Sequence, residues 1–271
     1  MPELPEVETT RCGIAPAVVG RIIRQVVVRE RRLRWPIPRG IEKHLSGQNV
    51  LQLRRRAKYL LLETERGTAL IHLGMSGSMR IAAADEAIEK HDHFDIVTSG
   101  GDIVRFNDPR RFGSLLWAGK SPDAHPLLAQ LGPEPLGDEF TGAYLHAASA
   151  GRRVPIKQQI MNSKVVAGVG NIYANEALFR AGIHPARAAG RISLSRMDVL
   201  AEEIRNVLLD AIRQGGTTLR DYRGGDGKPG YFRQQLLVYE RQDKPCKRCG
   251  ALLRRNVQGQ RATYYCRHCQ T

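Results

Sequence analysis

Four cysteines near the end of the chain constrain its folding most: Cys246 and Cys249, sixteen intervening residues, then Cys266 and Cys269. Two Cys-x2-Cys pairs at this spacing make two knuckle turns whose thiolates close a tetrahedral shell, the arrangement a structural zinc prefers and one with no open position for catalysis. The expectation is one structural Zn2+ and no catalytic metal. In a reducing compartment such pairs signal metal rather than disulfides. Cys12, the fifth cysteine, is expected as a small apolar residue on the first helix. Between Arg241 and Arg267 eight basic residues meet one acid, Asp243. A zinc-stapled hairpin with that charge is a candidate nucleic-acid contact.

The basic excess runs through the whole chain, with 42 Lys and Arg against 27 Asp and Glu giving a formal charge of +15 over 271 residues. A charge of this size favours a polyanion as partner, nucleic acid first and an anionic membrane second. Between Arg21 and Lys58 alone there are twelve Arg or Lys against two Glu. That exceeds what solubility requires and suggests a phosphate-tracking surface. No run approaches the length of a transmembrane span, and the acidic start is unlike a signal peptide, so a cytosolic protein is expected.

Residues 14–19 continue a first helix that ends at Gly20, a natural left-handed cap. Short β-branched runs follow at 21–29, 50–54, 59–63, 69–73, 94–97, 102–106 and 114–117, with a hairpin turn at Gly100-Gly101-Asp102. Strands at this spacing suggest a β-sandwich or barrel. From Ser121 to Gly137 four prolines interrupt the pattern and mark a domain boundary. Beyond it the period is helical over 141–150, 156–164, 171–181 and 193–214, the last ending at Gly215-Gly216. The glycine-rich stretch 221–230 shows no period and is expected to be a mobile loop. Trp35 and Trp117 are expected in the core, and His72, His93 and His184 in structural roles.

Three further stretches carry chemistry. Gly168-Val169-Gly170-Asn171 reads as a glycine turn ending in an asparagine cap, which suits either a phosphate or a tight junction between packed helices. Lys157, one helix earlier, would add a charged contact to the same backbone. Asn107-Asp108-Pro109-Arg110-Arg111-Phe112-Gly113 places two guanidiniums and a ring on a loop between strands. Phe112 there is either a wedge for a base stack or a core residue. The opening Pro2-Glu3-Leu4-Pro5-Glu6-Val7-Glu8-Thr9 also has two readings. Pro5, Glu6 and Glu8 suit the first turn of a helix. Removal of Met1 before a proline would also expose a secondary amine that forms an iminium with an aldehyde carbon, with Glu3 beside it to move a proton.

Together with Lys58, Leu73-Gly74-Met75-Ser76-Gly77, Lys90-His91-Asp92-His93 and Gln260-Arg261-Ala262-Thr263-Tyr264-Tyr265-Cys266, these stretches resemble the bacterial formamidopyrimidine-DNA glycosylase family along the whole chain. The sister branch, endonuclease VIII, opens differently and prefers oxidised pyrimidines. One departure is Cys12, where the family usually has arginine. The resemblance implies an α+β fold: an N-terminal catalytic β-sandwich with a leading helix (1–135), a helical helix-two-turn-helix DNA-binding domain (136–235) and a C-terminal zinc-ribbon hairpin (236–271).

The resemblance also implies roles. Pro2 would attack the anomeric carbon of an oxidised purine nucleotide and Glu3 would manage protons. Lys58 would act in β-elimination and Arg261 in δ-elimination. Met75, Arg110 and Phe112 would fill the void left by the flipped nucleotide, and His91, Arg110, Arg152, Lys157 and Asn171 would contact DNA. The loop 221–230 would be a lid over the extruded base. The implied partner is damaged double-stranded DNA, with no membrane, and the implied protein is a monomer of the bacterial cytoplasm, associated with the nucleoid. A zinc-ribbon DNA binder without catalysis would explain the charge and the cysteines, but not a proline followed by Glu3.

Overall fold

The computed structural model describes residues 2–216 and 235–271. The loop 221–230, and with it the lid reading, lies outside them. Two compact units are present, Met1–Ala129 with Ile212–Arg233, and Gln130–Ala211 with Gln234–Thr271.

In the first unit α1 (Leu4–Val18) begins as its opening residues dictate. Pro5 lies in the first turn, where no N–H is needed. Glu3 is the N-cap, and Glu6 reaches back to accept its backbone N–H at 2.8 Å, one half of a capping box. After α1, Gly20 takes the left-handed conformation at φ 73. Eight strands follow: β1 (Ile23–Val28), β2 (Val50–Arg56), β3 (Tyr59–Thr64), β4 (Gly67–His72), β5 (Ser78–Ala82), β6 (Asp92–Thr98), β7 (Ile103–Asn107) and β8 (Ser114–Gly119). They form two antiparallel sheets in the orders β1-β6-β7-β5 and β2-β3-β4-β8. Phe94, Ile96 and Phe106 from the first sheet, Leu53, Leu62 and Ile71 from the second, and Val7 and Ile14 of α1 share one core, which makes this a sandwich. On the other face of β6 and β7, Asp95 lies opposite Arg105 and accepts from it at 3.0 Å, with Arg29 on the same carboxylate.

Two elements were not among those expected. β5 is too short to show a period, and it forms because β7 offers an edge on which Met79 pairs with Phe106. The short helix α2 (Ile41–Leu45) is held by its two ends, both in the core. Three residues sit differently from the expectation. Trp117 is only partly buried, against the core and stacked on His44. Trp35 is 36% exposed, with the Arg34 guanidinium 4.7 Å over its ring, because it lies on an arginine-rich loop rather than a sheet face. Cys12 is exposed beside Glu8 and Arg11.

The second unit contains α3 (Gly142–Ser149), α4 (Ile156–Met161), α5 (Asn171–Arg180), α6 (Leu194–Arg213) and the hairpin of β9 (Arg254–Gln258) and β10 (Arg261–Tyr265). Met197, Leu200, Ala201, Ile204, Val207, Leu208 and Ala211 make a continuous buried stripe at helical spacing on α6. On α5 every residue from Ile172 to Phe179 is buried. Phe179 joins Val238, Cys246, Leu253, Tyr264 and Cys266 in a second small core, so the cysteine module is built around a residue from α5. Among the described residues no helix is long and apolar enough to cross a membrane.

Candidate active site and nucleic-acid interface

Pro2 and Glu3 are buried at the head of α1, and the Glu3–Glu6 bond fixes their backbone. Lys58 occupies the tight turn between β2 and β3, next to Ala57 at φ 52. Arg55 ties this turn to α1: its Nη1 donates to Ala57 O at 3.0 Å and its Nε to the Glu8 carboxylate at 2.9 Å, which Arg11 also holds at 2.7 Å. Burial works to raise the Glu8 carboxyl, but the two guanidiniums outweigh it and hold it below the usual range. The turn that carries Lys58 is thereby fixed to the helix that begins just after Pro2. His72, at the end of β4, is pushed down to about 4 by burial and then by the charges of Lys58 and Arg34. Its Nδ1 accepts the Gly74 N–H at 2.9 Å, which orients the chain entering Met75.

Met75 and the Arg110–Phe112 pair lie on two loops locked together by Asp108. This fully buried carboxylate accepts from Ser76 Oγ at 2.8 Å, from the Arg110 N–H at 3.2 Å and from the Gly113 N–H at 2.7 Å. Gly74, at φ 68, passes so close that a Cβ would stand 2.4 Å from the Phe112 backbone, so only glycine fits. The result is a platform from which Phe112 projects 40% exposed, with Arg110 4.9 Å over its ring. Phe112 is therefore not a core residue. His91 adjoins the platform: its carbonyl accepts the Asp108 N–H at 3.0 Å and its ring meets His93 edge-on. The His91 Nδ1 is buried with no hydrogen-bond partner among the described residues. His93 is buried with its Nε2 2.7 Å from Asp108 O, and His184 packs edge-on against Tyr265, so both are structural as expected.

In the second unit the helices position the hairpin. Arg261 opens β10 at the exposed hairpin tip, opposite Gln258, where Gly259 and Gln260 turn the chain with positive φ. Lys157 is 1% exposed, and its ammonium donates to Ala262 O and Thr263 Oγ1, both at 2.8 Å. The first partner of this lysine is therefore the hairpin. Asn171 is not the helix cap. Gly170 takes that position, and the Asn171 side chain turns to the hairpin, donating from Nδ2 to Ala262 O at 3.1 Å. Its Oδ1 is buried without a hydrogen-bond partner among the described residues. Arg152 lies exposed between α3 and α4.

The four cysteine sulfurs lie within 4.8 Å of one another, with Cys246 and Cys269 3.9 Å apart and Cys249 and Cys266 3.5 Å apart. Thiolates at about 2.3 Å from a shared tetrahedral zinc stand roughly 3.8 Å from each other, so this set fits a structural zinc.

Three family models match the chain: the formamidopyrimidine-DNA glycosylase N-terminal domain over residues 1–115, its H2TH domain over 131–223, and the zinc finger found in FPG and IleRS over 243–271. The formamidopyrimidine-DNA glycosylase of Methylococcus capsulatus is 58% identical over 270 residues, covering 100% of both chains. The chain belongs to the formamidopyrimidine-DNA glycosylase family. Among solved structures, a Lactococcus lactis FPG mutant bound to Fapy-dG-containing DNA is 30% identical with a TM-score of 0.91, covering 99% of each chain. The MutM (FPG) protein of Thermus thermophilus is 39% identical with a TM-score of 0.88, covering 99% of this chain and 98% of that one. The zinc-finger model and the sulfur cluster agree on one structural zinc.

Sequence reasoning missed Asp108, Asn175 and Glu176. Asn175 Oδ1 accepts the Tyr264 N–H at 2.7 Å, and the Glu176 carboxylate accepts the N–H groups of Leu237, Val238 and Tyr239. The available signal was two polar residues amid an otherwise apolar stretch of helix. Polar groups at buried positions are retained where they have partners to satisfy.

Proposed function

We propose that this family member excises oxidised purines, 8-oxoguanine and formamidopyrimidines, from duplex DNA through a Schiff base on Pro2 and then cuts the strand by β,δ-elimination. With Met1 removed, the Pro2 nitrogen forms a bond to the anomeric carbon while the bond from that carbon to the base breaks. Glu3 supplies the proton to the opening sugar oxygen. The resulting iminium draws electrons from the sugar, so that loss of the C2′ proton expels the 3′ phosphate. Lys58 assists that step, and Arg261 assists expulsion of the 5′ phosphate in the next. Met75, Arg110 and Phe112 fill the void in the stack, at an unstacking cost of a few kcal/mol that phosphate contacts offset. His91, Arg152 and Asn171 contact the backbone. Lys157 adds its charge there through the hairpin strand it holds.

One observation carries this reading: a buried Pro2-Glu3 at a capped helix start, with the Lys58 turn bolted to that helix through Arg55 and Glu8. The preference for purines draws on the relative crystallised with Fapy-dG DNA. The enzyme works as a monomer on nucleoid DNA in the cytoplasm, with no metal in the reaction.

Borohydride trapping on a lesion duplex, followed by mass spectrometry, tests the mechanism. DNA attached at the amino-terminal proline is the expected product, and attachment at Lys58 would sink it. Faster cleavage of an oxidised pyrimidine than of 8-oxoguanine, opposite the same base, would overturn the substrate assignment.

A further inference from the structure

The second unit carries a group of arginines, three of which the proposed reaction does not use. The connection entering α4 and the one following α5 run antiparallel. Ile156 N–H donates to Arg187 O at 2.8 Å, Ala189 N–H to Val154 O at 2.9 Å and Gly190 N–H to Arg152 O at 2.9 Å, and Pro155 bridges Ala188. Gly190 allows this approach, since a Cβ there would meet Arg152 N and Ser149 O at 2.9 Å. The ribbon holds Arg152 and Arg153 on one strand and Arg187 and Arg191 on the other, all exposed.

Several arginines elsewhere are paired: Arg29, Arg55, Arg80, Arg105 and Arg180 each have a carboxylate. Among the described residues none of the four ribbon guanidiniums has a carboxylate or a hydrogen-bond acceptor in reach. One of them faces a further cation: Arg196 on α6 is pulled below the ordinary arginine value by burial and then by the charge of Arg187. Like charges gathered without counter-ions raise the energy of the free protein, and a polyanion that displaces its own condensed cations relieves them. The ribbon bears no large exposed apolar side chain of the kind a bilayer surface would take up.

We propose that this ribbon is a phosphate-binding ridge in which Arg153, Arg187 and Arg191 extend the contact of Arg152 along the backbone of duplex DNA, independently of any lesion. It rests on the reading of the protein as a DNA glycosylase and adds a surface for holding undamaged duplex during search.

The test compares the wild type with the triple variant Arg153→Gln/Arg187→Gln/Arg191→Gln and its Arg→Lys counterpart, each confirmed folded by thermal melting. Binding to undamaged and 8-oxoguanine duplexes is titrated against salt. The glutamine triple should lower the slope of log affinity against log salt by about 0.9 per phosphate lost, about 2.7 for three. Affinity for the two duplexes should fall by the same factor, and single-turnover cleavage at saturating enzyme should stay at the wild-type rate. The lysine triple should keep the slope. An unchanged slope, a loss confined to the lesion duplex, or equal losses in both triples would each overturn the ridge. Failure of the wild type to cleave the lesion duplex would count against the proposed function, while the slope on undamaged DNA would still judge the ridge.

Discussion

Glu176→Gln should detach the zinc module from the helix that carries it. The Glu176 carboxylate is 1% exposed and accepts three backbone N–H groups, from Leu237 at 2.8 Å, Val238 at 2.9 Å and Tyr239 at 2.8 Å. Val238 is itself in the small core with Cys246 and Cys266, so these bonds set where the module begins. Glutamine keeps the shape but offers one acceptor oxygen in place of two, and its amide would confront either Leu237 N–H or the other two donors. At least one bond to a charged acceptor is lost, worth about 1.5–3 kcal/mol, and a buried N–H left without a partner adds about 1 kcal/mol or more, for a total of roughly 2.5–4 kcal/mol or more. That is a large part of the 5–15 kcal/mol typical of a folded domain. Urea unfolding followed at the zinc module, with metal release to a chromogenic chelator, measures it. A stability change below about 1 kcal/mol with unchanged zinc release would refute the reasoning, because it would mean that the three bonds are not what anchors the module.

Other perturbations follow from the same geometry. His72 is pushed down to about 4 in the fold and titrates near 6.5 when free, so the unfolded chain takes the proton first. Stability should therefore fall as pH drops from about 6.5 to about 4 and level off below, by roughly 1–3 kcal/mol for a half-buried ring. His72→Asn, which keeps an acceptor for Gly74 N–H without titrating, should flatten that slope in urea melts from pH 7 to 4.5, and an identical slope in both proteins would exclude His72 as its source. Cys266→Ser or zinc removal should abolish DNA binding while the melt of the β-sandwich stays in place; lesion cleavage surviving chelation would contradict the hairpin's role. Asp108→Asn should cost about 1–3 kcal/mol, since an amide cannot accept on both sides, and should lower affinity for a lesion duplex by loosening the loop that carries Arg110 and Phe112. Unaltered lesion-duplex affinity with a destabilised fold would confine Asp108 to a structural role.

Much of the fold was legible in the sequence because its signals are local. The two-residue alternation of 94–97 and 103–106 reflects strands with one face in a core, and the spacing of Met197, Leu200, Ile204 and Leu208 reflects a helix with one buried stripe. β5 and α2 escaped because each is held by neighbours distant in sequence rather than by a pattern of its own. Trp35 escaped because size and apolarity do not say whether a loop residue finds a partner face.

The site divides in the same way. The sequence alone determined the four zinc ligands, the helix start at Pro5 and Glu6 that follows Pro2 and Glu3, and the positive charge that favours a polyanion, since spacing, helix-start signals and charge count depend only on neighbours along the chain. The tertiary structure alone decided that Lys157 and Asn171 turn to the hairpin at Ala262, that Asp108 locks the Phe112 loop outward, and that Glu176 holds the strand entering the zinc module. Each is a polar group, buried in Lys157, Asp108 and Glu176 and half-buried in Asn171, whose partner lies 5 to 105 residues away in sequence. Burial makes an unmet hydrogen bond costly, and the fold supplies the distant acceptor or donor that meets it.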